Sequence, residues 1–301
     1  MRTPRLDTLV GALLATLLAS GCATTAPPPR DPARPAAAVA AAPAPGGAPA
    51  GTISSGAAPR AADASRLVPL QGALNVRTFG ELRGRRGPIP AGSFLRAADL
   101  ARLTAADRDL LAARGVALAL DLRTEEEAAS APDALATDAR FRYARISLLG
   151  TETIDLSNLP DDLGTMYVAS LDANQREFRR VFEAMAAEQD GAVLFHCTAG
   201  KDRTGMVAAL LLSLADVPRA DIVHDYAISA YYLEPMMRQS PQLAEMAQRN
   251  PKMLALAGSP AAAIESFLDA LERRHGGARA YLRRIGVSNL DVARLLARLG
   301  Q

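Results

Sequence analysis

The sequence predicts an α/β fold, with a central, mostly parallel sheet flanked by helices and a helical C-terminal part. Three observations carry that prediction. Short β-branched or apolar runs, Val116 to Leu122 and Ala192 to Phe195 among them, alternate with helix-like stretches in the middle of the chain. Beyond Arg219 only helical patterns remain. Of the 301 residues 49% are hydrophobic, which is enough for a sizeable core although tryptophan is absent.

The elements follow in chain order. Arg2 and Arg5 precede an apolar run from Leu9 to Leu18 that is too short to span a bilayer, and Ala19-Ser20-Gly21 reads as a small-residue cleavage site. Cleavage before Cys22 fits a bacterial lipoprotein signal over residues 1–21, with the lipid carried on the Cys22 thiol; an ordinary secretory signal is the alternative. Residues 22–66 are rich in Ala, Pro, Gly and Ser, so they bury too little apolar surface to offset chain ordering and read as a disordered tether. The globular part is expected over residues 67–301. Leu74 to Phe79 and Ser93 to Arg96 are short strand candidates between Gly and Pro turn signals. Thr104 caps a helix to Arg114, with Asp107 near its start and Gly115 as the stop. Val116 to Leu122 and Phe141 to Leu148 are strands. Asn174 to Ala187 is an amphipathic helix that puts Phe178, Val181, Phe182 and Met185 on one face. A strand then leads into Cys197 and a helix leaves from Arg203. About four more helical segments fill Arg219 to Leu299, with breaks at Pro235, Pro251, Pro260 and Gly276-Gly277.

The most informative stretch is His196-Cys197-Thr198-Ala199-Gly200-Lys201-Asp202-Arg203-Thr204-Gly205. A cysteine at a strand end, before a tight loop that opens a helix, places a nucleophile at the floor of an oxyanion site. Backbone N–H groups of Thr198, Ala199, Gly200, Lys201 and Asp202 and the helix N-terminus face the anion and favour the thiolate. Arg203 adds a planar fork matched to two phosphate oxygens. A lone buried cysteine is ordinarily a small hydrophobe; Gly200, Arg203 and Thr204 at these offsets displace that reading.

The motif resembles the His-Cys-x5-Arg-Thr/Ser signature of the cysteine-dependent tyrosine and dual-specificity phosphatases. Its Ala-Gly-Lys-Asp-Arg interior is most similar to the bacterial secreted subgroup typified by mycobacterial protein-tyrosine phosphatase B. Asn75-Val76-Arg77, Leu103-Thr104, Val116 through Asp121-Leu122-Arg123, Met166-Tyr167 and Asp225-Tyr226 fall in the family's order, so the similarity spans roughly residues 70 to 300. One departure stands near its start. The family follows Asn-x-Arg with an aspartate and paired glycines, whereas this chain reads Arg77-Thr78-Phe79-Gly80. The resemblance implies a cysteine-phosphatase-like fold and hydrolysis of phosphomonoesters through a phosphocysteine. Substrates of that subgroup are phosphotyrosine proteins and phosphoinositides.

On that basis Cys197 is the expected nucleophile and Arg203 the phosphate ligand. His196 is expected to donate hydrogen bonds that fix the loop. Gly200 permits a positive-φ turn, Gly205 lets the helix approach the sheet, and Thr204 offers its hydroxyl to the Cys197 sulfur. The proton for the leaving oxygen has several candidate donors: Asp202 first, as implied by the subgroup, then Asp121, then Asp161 or Asp162. Asp121 beside Arg123 reads equally well as an ion pair. Lys201, one of only two lysines, suits a polyanionic headgroup as a second cation. Met166 and Tyr167 either wall the pocket or pack in the core.

No cofactor is expected. His224 and His275 lack metal-ligand spacing, and the phosphocysteine route needs no metal. Cys22 and Cys197 are the two cysteines, which leaves no disulfide framework. A net charge of +2 without a basic run argues against a nucleic-acid partner. The expected partners are a phosphotyrosine protein or inositol phosphate substrate and, through the anchor, a membrane of the bacterial cell envelope. Rival readings are an inositol-polyphosphate phosphatase, a sulfurtransferase with a loop cysteine, and a silent module that binds phosphorylated ligands.

Overall fold

The computed structural model describes residues 56–149, 162–239 and 257–301. The signal segment, Cys22, most of the expected tether, Asp161 and Pro251 lie outside the described residues. Among the described residues no helix is long and apolar enough to cross a membrane.

Strands β1 (Arg77–Thr78), β4 (Phe94–Ala97), β5 (Val116–Asp121), β6 (Arg142–Arg145) and β7 (Ala192–His196) form one sheet in the order β1-β4-β7-β5-β6. Only β1 runs antiparallel to its neighbour; β4, β7, β5 and β6 are mutually parallel. A separate hairpin pairs β2 (Arg83–Gly84) with β3 (Gly87–Pro88). The mixed α/β class and the parallel sheet are therefore as the sequence predicts. β7 lies at the centre with every residue buried, and His196 is in register with Ala97 of β4 and Asp121 of β5.

The period of two along β7 separates the faces. Val193, Phe195 and Cys197 belong to the larger core, shared with helices α4 (Leu163–Ala173), α5 (Gln175–Ala187) and α6 (Asp202–Leu214). Ala192 and Leu194 join a smaller core, with Leu111 of α2 (Ala105–Ala113) and Leu135. α2 shows how local chemistry sets an element. The Thr104 hydroxyl accepts from the Asp107 N–H at 3.1 Å and the Asp107 carboxylate accepts from the Thr104 N–H at 2.9 Å. This reciprocal box opens the helix, and Gly115, at φ +72°, ends it. α3 (Glu125–Ser130) opens with the same device between Thr124 and Glu127. The C-terminal part adds α7 (Arg219–Ala227), α8 (Ser229–Gln239), α9 (Ala261–His275), α10 (Ala278–Arg284) and α11 (Asn289–Arg298).

Three sequence expectations need correction. Pro235 does not break its helix but lies within α8; it is exposed, so the carbonyl left without its N–H partner can turn to water. Residues 56–66 are not tether. Helix α1 (Ala61–Arg66) docks through charged side chains, with Asp63 3% and Arg66 2% exposed. The third concerns Gly205. A Cβ there would come within 2.9 Å of the Tyr226 ring, so this glycine makes room for α7 rather than for the sheet.

Candidate active site

The site is built at the C-terminal edge of the parallel strands, where β7 runs into the loop that opens α6. Cys197 is 1% exposed at the floor of that loop. Gly200, at φ +64°, makes the turn, and a Cβ there would sit 2.2 Å from the Ala97 carbonyl oxygen, so no other residue fits. The loop's outward carbonyls are held from behind. Asn75, itself at φ +58°, donates its amide to Ala199 O at 3.1 Å and to Gly200 O at 3.0 Å. Arg96 adds a bond to Gly200 O at 2.8 Å. Carbonyls bound on that side leave the N–H side of the loop for an anion.

Arg203 is gripped end-on. Its Nη1 donates to Glu127 Oε2 at 2.5 Å and its Nη2 to Glu127 Oε1 at 2.7 Å. The Thr198 hydroxyl donates to the same Oε1 at 2.5 Å. Among the described residues Nε of Arg203 makes no hydrogen bond, which leaves the Nε side of the guanidinium for a ligand. Burial works against the Glu127 carboxylate, but the bonds and charge of Arg203 outweigh it and bring its pKa down to about 2. The Arg203 guanidinium is held charged by the same pair, against its own burial.

The expected acid donors fall in different places. Asp202 lies at the head of α6, where it accepts from the Tyr167 hydroxyl and contacts Lys201 Nζ at 2.6 Å. Tyr167 is fully buried and reaches Tyr226 OH at 2.8 Å, so it packs in the core and touches the loop at once. Asp121 is 0% exposed and chelated by Arg123, with Nε at 2.9 and 3.1 Å and Nη2 at 2.8 Å; Tyr143 OH donates to it at 2.8 Å. Burial works to raise its pKa, and the Arg123 bonds with the His196 and Arg123 charges bring it to about 2. A carboxylate held ionised in this way is a structural anion, the ion-pair alternative of the sequence reading. Asp162 caps α4, accepting from the Thr165 N–H and hydroxyl, each at 2.8 Å.

Lys201 is 3% exposed, with its ammonium beside Asp202. Thr204 is fully buried, and among the described residues its hydroxyl makes no hydrogen bond, to the Cys197 sulfur or elsewhere. His196 points to the opposite face of the sheet from Cys197, with Nδ1 3.4 Å from the Cys197 carbonyl oxygen. One group among the described residues has the donors for a metal: Asp121, Asp133 and His196 place ligand atoms within 4.8 Å of one another. Arg123 already fills the cation's place on Asp121, so we read the group as an ion-pair network.

Residues 68–301 match the tyrosine phosphatase family. The chain belongs to that family. A tyrosine-protein phosphatase of Nostoc commune is 50% identical over 253 residues, covering 81% of this chain and 85% of that protein. The triple specificity protein phosphatase PtpB of Mycobacterium tuberculosis is 27% identical over 273 residues, covering 75% of this chain and 96% of that protein.

Sequence reasoning missed several residues around the loop of this tyrosine phosphatase. Glu127 carried a readable signal, since Thr124-x-x-Glu127 is a capping box, but nothing in the chain announces that its carboxylate also takes Arg203. Asn75 was visible only as part of a motif. Asp225 likewise carries no role in the motif order; it is the buried hub of Arg66, Arg77 and Arg96. Burial works to raise its pKa and the three guanidiniums hold it far below the carboxylate range.

Proposed function

We propose that this chain hydrolyses phosphomonoesters of the phosphotyrosine class through a phosphocysteine formed on Cys197. The observation that carries the reading is the Glu127–Arg203 grip, which aims a charged fork over a loop whose floor is Cys197. The Cys197 thiolate attacks phosphorus as the ester P–O bond breaks, and the leaving oxygen takes a proton from Asp202. Water then attacks the phosphocysteine, releasing inorganic phosphate and the thiolate. The loop N–H groups and Arg203 hold the equatorial oxygens in both steps.

Phosphoinositides are the finer substrate proposal, supported by Lys201 in the loop of a chain with two lysines. Its ammonium is shared with Asp202, so a headgroup would compete with that carboxylate. The domain is further proposed to be exported and lipid-anchored through Cys22, on the strength of the charged start, the short apolar run and the small residues before that cysteine.

The test of the chemistry is hydrolysis of p-nitrophenyl phosphate with chelator present. Wild-type turnover that persists, and vanishes in Cys197→Ser, supports the reading; turnover surviving in that variant refutes the nucleophile. On a substrate panel, Lys201→Ala should depress inositol phosphate turnover more than phosphotyrosine peptide turnover, and equal losses refute the headgroup role. For the anchor, labelled palmitate should enter the wild type and not Cys22→Ala, which should leave the membrane pellet. An unlabelled wild type leaves only the secretory reading.

A further inference from the structure

The two ring nitrogens of His196 both face acceptors. Nδ1 lies 3.4 Å from the Cys197 carbonyl oxygen, and Nε2 lies 2.8 Å from Asp133 Oδ2 and 3.8 Å from Asp121 Oδ1. A carbonyl oxygen and a carboxylate offer only lone pairs, and a neutral imidazole carries one N–H. Either neutral tautomer therefore sets a ring lone pair against an oxygen lone pair in a site that is 0% exposed. The doubly protonated ring sets an N–H toward each acceptor. The contact with Asp133 is close yet bent off the N–H direction, so neither Nε2 nor Oδ2 has a fully formed hydrogen bond. Bent contacts of this kind tighten when an active site takes up its ligand.

We propose that Asp133 is a positioning residue of this phosphatase: it keeps the proton on His196 Nε2, so that Nδ1 donates to the Cys197 carbonyl and a positive ring stands behind the nucleophile. The rest of the surroundings agree. Asp133 is itself 4% exposed and is fixed by accepting the Leu135 N–H at 2.7 Å through its other oxygen. Asp121 from β5 adds a second carboxylate, and Tyr143 from β6 donates to it. Arg123 opposes the ring's charge but is spent on Asp121 and Asp99, the latter in the loop after β4. Burial works against the charged ring; the Asp133 contact and the two carboxylates outweigh it and raise its pKa above the ordinary value. Period two along β7 explains why no motif shows this. Cys197 faces α6, so the residue before it must face the other side, where the segment after α3 delivers Asp133.

The inference deepens the phosphocysteine reading and its kinetic arm rests on that reading, so the experiment has a second arm that does not. Ring-labelled histidine NMR on the full chain distinguishes imidazolium from imidazole, and the chain has three histidines, which His224→Asn and His275→Asn assign by subtraction. The His196 ring should titrate above the ordinary histidine value of about 6.5. A ring that titrates at or below that value overturns the proposal whether or not any variant folds. In Asp133→Asn the amide keeps the Leu135 contact and can donate to Nε2, which leaves the ring neutral. The acid limb of kcat/KM should then move up by roughly one pH unit, about a tenfold loss on that limb, with the plateau changed by less than about threefold. A charged wild-type ring with an unmoved acid limb in folded Asp133→Asn also overturns it, because the carboxylate would then be merely structural.

Discussion

Glu127 shows how one residue can serve a helix and the proposed catalytic loop together. Its backbone N–H donates to the Thr124 hydroxyl while its carboxylate spans both Nη atoms of Arg203. In Glu127→Gln the amide keeps one acceptor and turns an NH2 toward the guanidinium. Arg203 should then swing away from the loop, and since a misplacement of about 1 Å costs on the order of 10²-fold in rate, kcat/KM should fall by roughly that factor. The fall should exceed any loss of stability, which an unfolding curve on the same variant checks. An unchanged kcat/KM would show that the grip does not orient Arg203. Of these residues the chain itself announces Cys197, Gly200 and Arg203, because the proposed nucleophile, the tight turn and the proposed phosphate ligand sit at fixed offsets in one loop. Glu127 and Asp133 escape notice because they arrive from 70 and 64 positions earlier, numbering back from Cys197.

At the scale of elements, α1 is the case where composition misled. Residues 56–66 share the Ala and Ser content of the preceding segment, yet Arg66 donates to Thr78 O at 3.0 Å and pairs with Asp225, while Asp63 lies 2.7 Å from His224 Nε2. Asp225 also takes Arg96 at 2.5 Å, and Arg96 holds Gly200 O. The segment therefore connects through one buried carboxylate to the back of the catalytic loop. A chain starting at Leu67 should be less stable than one starting at Gly56 by about 1–3 kcal/mol, the worth of charged hydrogen bonds lost from a buried site. Urea midpoints compare the two; equal midpoints would mean that α1 docks without contributing.

For the whole molecule, buried carboxylates make stability depend on acid. Asp121 and Glu127 have folded pKa values of about 2, and Asp225 is held lower still. Groups with depressed folded values contribute stability that is fully present above their unfolded values of about 4, and it is lost as pH falls toward 2. Asp121 and Glu127 each contribute on the order of 2–3 kcal/mol by this linkage. The urea midpoint should drop steeply below about pH 4. A midpoint that holds to pH 2.5 would show that these pairs survive protonation or never formed.

What the amino-acid sequence by itself determined is local. The capping box at Thr104, the alternation of strand and helix, and the spacing from His196 to Gly205 are short-range constraints, so a linear reading recovers them. It also recovers the family, because its motif is contiguous. What only the tertiary structure decided is pairing between charges. Asp121 is an acid candidate by position and a structural anion by contact, since Tyr143 and His196 from the two neighbouring strands join Arg123, two residues on, around it. The same holds for Arg66, Asp225 and Asp133. Hydrophobic burial follows a periodic pattern that the chain carries in order, whereas a buried charge must find an opposite charge wherever the fold brings one.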